Sequence, residues 1–278
     1  RYIYSRFSNP TVGMFEERMR LLEKTSSCRA TATGMAAVWA SLASLLKSGD
    51  RLVTSKALFG SCHVVCSEFL PKFGVECVMV DGTDLNEWER ALSKPTQAVF
   101  METPSNPQMD LIDIKAVCLL AHKVGAKVVV DNVFATPILQ KPIELGADIV
   151  VYSATKHIDG QGRTMGGVIL TNDIEYSDGS LLQFLRHTGP ALSPFNAWIL
   201  LKGLETLELR MAQHCKNARE IAKFLTTQSG LSEVIYPGLK SHPQYKLCKK
   251  QMSDAGSMVS FKVEGGIKRA FKIMNAFK

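Results

Sequence analysis

Short apolar runs with no polar alternation recur along the chain, at Arg51–Thr54, Val75–Val80, Ala98–Glu102, Lys127–Asp131, Asp148–Tyr152 and Gly167–Leu170. A strand with one wet face alternates apolar and polar residues. Continuous runs therefore predict strands buried on both faces, as in a parallel sheet covered by helices. Helical periodicity fills most of the intervals (Cys62–Phe73, Leu85–Leu92 and Ile114–Val124). Two further helices are expected upstream. One runs from Thr11, read as its N-cap, to about Lys24, with Phe15, Met19 and Leu22 on its inner face. The other runs from Gly34 to Lys47 and is closed by Gly49. Strands and helices in alternation with short connections predict an α/β sandwich with right-handed crossovers. After Thr188 the texture changes. A long helical stretch from Ser193 to about Thr226 leads to strands at Val234–Tyr236 and near Met258–Val263, the beginning of a second, smaller domain.

With 278 residues, 46% of them hydrophobic and 21% charged, the chain can bury a substantial core. No apolar run approaches the roughly 20 residues of a membrane-spanning helix, and the opening Arg1-Tyr2-Ile3-Tyr4 has no signal-peptide pattern. The missing initiator Met and the stop inside a helix-like segment (Ile267 to Lys278) give the expectation of a piece of a longer protein. The net charge of +7 is not gathered into a basic stripe with interleaved aromatics, so nucleic acid is not expected as a partner. A positive balance suits anionic small substrates through electrostatic steering. Seven cysteines, odd in number and without framework spacing, fit reduced thiols and a cytoplasmic location. Cys62 and Cys66, with His63 between them, lie in an apolar helical stretch with no second ligand pair following, which reads as buried thiols and not a metal site.

Ligands of open α/β sheets bind beyond the carboxyl ends of the strands. Asp131 stands at the end of one apolar run, and Ser153, Thr155 and Lys156 emerge just after another. Singly, Asp131 reads as a helix cap and Lys156 as a solvated lysine. Together they form the constellation that pyridoxal phosphate requires: a lysine for the imine, and an acid that keeps the pyridine nitrogen protonated. The hydroxyls of Ser153 and Thr155 are placed to meet the phosphate. Thr33-Gly34-Met35 opens a helix whose free N–H groups and dipole favour an anion, and Gly34 permits close backbone approach.

Tyr4-Ser-Arg6-x-Ser-Asn-Pro-Thr11, Thr33-Gly34-Met35-Ala-Ala, Glu102-Thr-Pro-Ser-Asn106-Pro, Val-Asp131-Asn and Ser153-Ala-Thr155-Lys156-His-Ile-Asp-Gly-Gln-Gly arrive in the order of the Cys/Met-metabolism pyridoxal-phosphate enzymes. The chain resembles that family over nearly its whole length. Asp159-Gly-Gln-Gly-Arg163 and Arg186-His-Thr-Gly-Pro190 are similar to its O-succinylhomoserine sulfhydrylase branch. The resemblance implies a fold-type-I (aspartate-aminotransferase-like) architecture, a mostly parallel sheet sandwiched by helices with the start of a smaller C-terminal α/β domain. It divides the chain into the remnant of an arm contacting a neighbouring subunit (1–10), a large cofactor domain (11–200) and an incomplete C-terminal domain (201–278). It implies that Lys156 carries pyridoxal 5′-phosphate, that Asp131 pairs with the pyridine nitrogen, and that Thr33, Gly34, Met35, Ser153 and Thr155 form the phosphate site. Asn106 lies near the ring. Tyr4 and Arg6 reach the neighbouring subunit's phosphate site, which makes a homodimer necessary for activity and a homotetramer of paired dimers the expected assembly. The arginine for the substrate carboxylate is expected beyond Lys278.

One position departs from the wider family. Phe59 occupies the place of a ring-stacking tyrosine, so stacking is kept and an acidic hydroxyl is lost. Succinate, with a pKa of roughly 4–5 like a Glu side chain, leaves without a proton donor more readily than a thiol of pKa about 8.5. Phe59 thus tilts the expectation towards γ-replacement on O-succinyl-L-homoserine by sulfide, giving homocysteine for methionine biosynthesis. Cystathionine γ-synthase, with cysteine as nucleophile, is the runner-up, followed by O-acetylhomoserine sulfhydrylase and methionine γ-lyase. From other classes, Gly160-x-Gly162-x-x-x-Gly166 has the wrong spacing for a dinucleotide loop and precedes a strand. A non-catalytic binding module is opposed by the full set of cofactor residues.

Overall fold

The computed structural model describes residues 2–277; Arg1 and Lys278, the outermost residues of the expected arm and C-terminal unit, lie outside the described residues. The strands are β1 (Ser27–Thr31), β2 (Arg51–Ser55), β3 (Glu76–Val80), β4 (Ala98–Glu102), β5 (Lys127–Asp131), β6 (Ile149–Ser153), β7 (Gly167–Thr171), β8 (Leu231–Ile235) and β9 (Ser260–Val263). The helices before β6 are α1 (Pro10–Glu23), α2 (Gly34–Ala43), α3 (Gly60–Val64), α4 (Leu70–Lys72), α5 (Leu85–Ala91), α6 (Ile114–Lys123) and α7 (Thr136–Leu139). Those after β7 are α8 (Ile174–Tyr176), α9 (Leu182–Thr188), α10 (Pro194–Leu204), α11 (Leu207–Leu225), α12 (Tyr245–Gln251) and α13 (Gly266–Ala276). A π-helical turn, Val65–Phe69, joins α3 to α4, so the expected Cys62–Phe73 helix starts two residues earlier and is not uniform.

Seven strands form one sheet in the order β1-β7-β6-β5-β4-β2-β3. The pairs among β2 to β6 are parallel, whereas β7 runs antiparallel to both β6 and β1. The sheet is thus mostly parallel, as expected, with antiparallel pairing confined to β7 and its neighbours at one edge. A parallel neighbour needs a crossover, usually helical; residues 154–166 contain no helix, and β7 simply turns back beside β6. The strand β1 carries no apolar-run signal, because only Cys28 and Ala30 of its five residues are apolar.

The continuous apolar strands β4, β5 and β6 bury both faces, whereas β3, at the edge of the sheet, is mostly half-buried. Val99 and Met101 of β4, Val128 and Val130 of β5, and Val150 and Tyr152 of β6 join one core with α1, α5, α6, α10 and α11. Their neighbours Ala98, Phe100, Val129, Ile149 and Val151 join a second core beneath α2 and α3. Side chains alternate faces along a strand, and each fully buried aliphatic or aromatic side chain contributes roughly 1.5–3 kcal/mol. Phe15 and Met19, at 0% exposure, seal α1 onto the sheet, as its periodicity predicts.

Three helix boundaries depart from expectation. Asn9, and not Thr11, caps α1: its side chain accepts the Thr11 N–H at 3.0 Å, and Pro10 supplies a pre-set φ at the first helical position. The helix α2 stops at Ala43, short of Lys47, with Leu45 and Leu46 N–H both turning to the Leu42 carbonyl. The stretch from Ser193 to Thr226 is two helices, α10 and α11, broken at Glu205-Thr206. Beside the break Gly203 meets the Ile158 carbonyl so closely that a Cβ there would lie 2.3 Å from it. The strands β8 and β9 pair antiparallel in a separate two-stranded sheet. Tyr236, Cys248 and Met252 nearby pack into the α1-side core.

Candidate active site

Side-chain alternation places three polar strand ends on the face covered by α2. Glu102 follows Phe100 by two residues, Asp131 follows Val129, and Ser153 follows Val151, and all three preceding residues belong to the α2-side core. Strand order then brings the ends together, since β4, β5 and β6 are consecutive neighbours and Glu102 stands directly opposite Asp131. The result is a cavity of about 270 Å³ at the carboxyl end of the sheet. Thr33, Gly34, Met35, Phe59, Asn106, Asp131, Ser153, Thr155 and Lys156 all border it, together with Glu102. Tyr4 and Arg6 are not brought to this cavity. They lie with Arg186 and Phe7 elsewhere on the chain, where the Arg6 guanidinium bonds the Arg186 carbonyl and lies 4.7 Å from the Phe7 ring centre.

One end of the cavity suits an oxyanion. The Thr33 side chain caps α2 by accepting Ala36 N–H at 3.0 Å, and its carbonyl takes Ala37 N–H. The Gly34 and Met35 N–H groups are left without acceptors among the described residues. The first turn lies hard against β6: a Cβ on Gly34 would come within 2.5 Å of Ser153 Cβ. Free N–H groups, the helix dipole and the Ser153 hydroxyl thus meet at one point. The Thr155 hydroxyl also accepts the Gly166 N–H at 3.2 Å, tying the lysine loop to the start of β7.

The other end is acidic and buried. Burial pushes the Asp131 carboxyl above the usual carboxylate range, against the Val133 N–H that it accepts at 3.1 Å. Glu102 is raised too, by burial first and then by the charge of Asp131, while N–H bonds from Phe59 and Asn106 oppose the shift. Two buried carboxyls side by side favour holding a proton between them. A cationic ring nitrogen at Asp131 would relieve that repulsion, which is the charge a protonated pyridine supplies. The oxyanion end, the half-exposed aromatic face of Phe59, the buried acid and the free lysine therefore fit a phosphorylated pyridine aldehyde.

The loop that carries Lys156 is braced from behind, by the Asp159-Arg163 motif and by an arginine that the sequence does not flag. Asp159, fully buried, accepts N–H bonds from Gln161 and Arg163 and the Arg163 side chain. The Arg210 guanidinium donates to the carbonyls of His157, Ile158 and Gly203. Gly160 makes room for it, since a Cβ there would meet Arg210 Nη1 at 2.0 Å. His157 itself is half-buried and held well below the ordinary histidine range, at about 4, mainly by desolvation. It faces Ser257 and His214 and does not border the cavity, in keeping with a structural role. On the opposite face of the sheet Asn132 donates to the Tyr152 hydroxyl, which bonds buried Glu23. Glu102 and Arg210 are the functional candidates missed by sequence reasoning. The spacing of Gly160 and Gly203 is the only trace of Arg210, and Glu102 reads like any strand-end acid.

Comparison with known proteins agrees with this geometry. The family model described as Cys/Met metabolism PLP-dependent enzyme matches residues 1–278. An O-succinylhomoserine sulfhydrylase of Mycobacterium tuberculosis is 58% identical over 281 residues, which cover 100% of this chain and 69% of that protein. An L-methionine gamma-lyase of Fusobacterium nucleatum is 40% identical over 100% of this chain and 70% of its own length. The crystal structure of a cystathionine gamma synthase from Xanthomonas oryzae superposes with a TM-score of 0.97 at 34% identity, over 100% of this chain and 72% of that one. With the cavity, its lysine and its buried acid in place, the chain belongs to the Cys/Met metabolism enzymes that depend on pyridoxal 5′-phosphate.

Proposed function

We propose that this chain catalyses γ-replacement on O-succinyl-L-homoserine, with sulfide as nucleophile and homocysteine and succinate as products. The observation that carries the reading is the 58% identity to an O-succinylhomoserine sulfhydrylase along the entire chain. Phe59 at the cavity wall supports it, because no phenolic acid stands there to help a thiol leave. Pyridoxal phosphate, when bound, supplies an electron sink in conjugation with the substrate Cα.

The residues divide the remaining work. Gly34 and Met35 N–H groups with the hydroxyls of Thr33, Ser153 and Thr155 hold the phosphate. Phe59 would stack on the ring and Asn106 would lie near it. Asp131 holds the proton on the pyridine nitrogen, and the low-dielectric surroundings that raise its pKa strengthen that ion pair once it forms. Lys156 holds the cofactor, then takes the proton from the substrate Cα and returns protons along the carbon chain. Succinate departs from Cγ with the electron pair of the C–O bond, and hydrosulfide forms the new C–S bond at the same carbon.

In this reading the active unit is a homodimer, assembled further into a tetramer, in which Tyr4 and Arg6 serve the neighbouring subunit's phosphate site. Residues 201–278 belong to a second domain, and the protein works in the cytoplasm. Among the described residues no helix is long and apolar enough to cross a membrane. The experiment is a comparison of turnover with O-succinyl-L-homoserine and either sulfide or cysteine. A clear preference for sulfide is expected. Equal or better use of cysteine would reassign the chain to cystathionine synthesis.

A further inference from the structure

Glu102 is 1% exposed at the end of β4, and each of its carboxylate oxygens accepts one backbone N–H from a different loop. Oε2 takes the Phe59 N–H at 2.6 Å, and Oε1 takes the Asn106 N–H at 2.9 Å. Phe59 stands ahead of α3, after β2, and Asn106 follows β4, so the two loops come from neighbouring strands and border the cavity from two directions. A neutral side chain could satisfy one of these amides. Only a carboxylate offers two equivalent acceptors in a fixed fork, and the chain keeps one here despite the second buried carboxylate directly opposite, at Asp131.

We propose that Glu102 is a positioning residue: its carboxylate clamps the Phe59 and Asn106 loops at a set separation, and so fixes the slot into which the cofactor ring fits. Glu102 borders the cavity, but both of its carboxylate oxygens are engaged by the two backbone N–H groups, so it acts through the loops it holds. The inference rests on the assignment of Phe59 and Asn106 to the cofactor ring. Glu102→Gln keeps the volume but turns an N–H donor towards one of the two amides, so one arm of the clamp is lost and the other survives.

The test is titration of the apoprotein with pyridoxal phosphate, followed by absorption and by the circular dichroism induced in the bound cofactor, for wild type, E102Q, F59A and the double variant. E102Q is expected to bind on the order of 10-fold more weakly and to show reduced dichroism per bound cofactor. Because one arm of the Glu102 clamp acts through the Phe59 ring, the loss in the double variant is expected to be smaller than the product of the two single losses. Wild-type affinity and dichroism in E102Q, or losses that multiply in the double variant, would overturn the proposal. Amide hydrogen exchange in the wild-type protein provides a second measurement that does not depend on a variant folding. The Phe59 and Asn106 amides are expected to be protected, and free exchange at either refutes the clamp. If F59A alone leaves cofactor binding untouched, the placement of the ring itself is wrong, and the proposal falls with it. A failed clamp, by contrast, would leave the F59A defect intact.

Discussion

Replacing Gly34 with alanine probes the phosphate end of the cavity by a clash whose size can be read from the structure. The new Cβ would lie 2.5 Å from Ser153 Cβ and 2.8 Å from Ser153 Cα, where ordinary contact begins at 3.4 Å. Neither atom can rotate away, because Ser153 is held in register opposite Gly167 at the end of β6. Relief must come from the first turn of α2 lifting off the sheet by about 1 Å, a displacement large enough to cost on the order of 100-fold where geometry matters. The overpacking costs about 1–3 kcal/mol, opposite in sign to the roughly 1 kcal/mol by which alanine favours a helix over glycine. The Gly34 and Met35 N–H groups move with the turn. A hydrogen bond to a charged partner contributes about 1.5–3 kcal/mol, so losing one weakens cofactor binding about 10- to 100-fold. Spectroscopic titration with pyridoxal phosphate measures that loss, and thermal melting of the apoprotein measures the clash alone. A melt lowered by several degrees with wild-type cofactor affinity would remove the phosphate from this helix end. No change in either quantity would mean that α2 and β6 do not approach as closely as the geometry requires.

Four further outcomes are expected. Lys156→Ala should bind pyridoxal phosphate without forming the visible absorption band of a lysine-linked cofactor; persistence of the band would place the linkage on another lysine. Asp131→Asn, which cannot hold the ring proton electrostatically, should lower kcat on the order of 100- to 1000-fold with the fold intact by far-ultraviolet circular dichroism. Arg210→Ala removes donors to three carbonyls behind the Lys156 loop and should cost about 2–3 kcal/mol in chemical denaturation. Glu23 is fully buried, and desolvation raises its carboxyl to about 8, so the folded state holds a proton that the unfolded chain releases near 4.5. Stability from this group is complete below the unfolded value and falls as pH rises towards 8, at up to about 1.4 kcal/mol per pH unit. Glu23→Gln should flatten that decline in melts run at several pH values, and parallel profiles would exclude Glu23 as its source.

The sheet was legible where the chain speaks in one local signal. The runs at β4 and β5 coincide with the strands because three or four consecutive apolar residues closed by an acid permit few other readings. Where the signal is tertiary the sequence is silent. Ser27–Thr31 becomes a strand because β7 offers it an edge, and not through its own composition. The break between α10 and α11 has no proline to announce it, and it sits where Gly203 meets the Ile158 carbonyl. In the site, Lys156, Asp131 and the Thr33-Gly34-Met35 turn could be found because each stands at the end of an element. Glu102 has the same local appearance as Asp131. That the two face each other follows only from β4 lying beside β5, and neither strand encodes its neighbour.

Strands that are apolar on both faces need something other than their apolar pattern to fix their register. Alternation cannot do it, because a one-residue slip would exchange one valine for another while turning Asp131 to the wrong side of the sheet. The answer in β5 is charge at both ends. Three valines separate Lys127 from Asp131, and Lys127 is anchored outside the core by Asp173 at 3.1 Å and Asp148 at 3.5 Å. Sliding the strand one residue towards its carboxyl end would draw the Lys127 ammonium into a core lined by Val128 and Val150, at a desolvation cost of several kcal/mol. Sliding it the other way would pull Asp131 in among valines without the Val133 N–H it now accepts. The polar residues that bracket the strand thus do two things at once: they define where it can sit, and by that constraint they present the buried acid to the cavity on the face where Gly34 and Lys156 meet it.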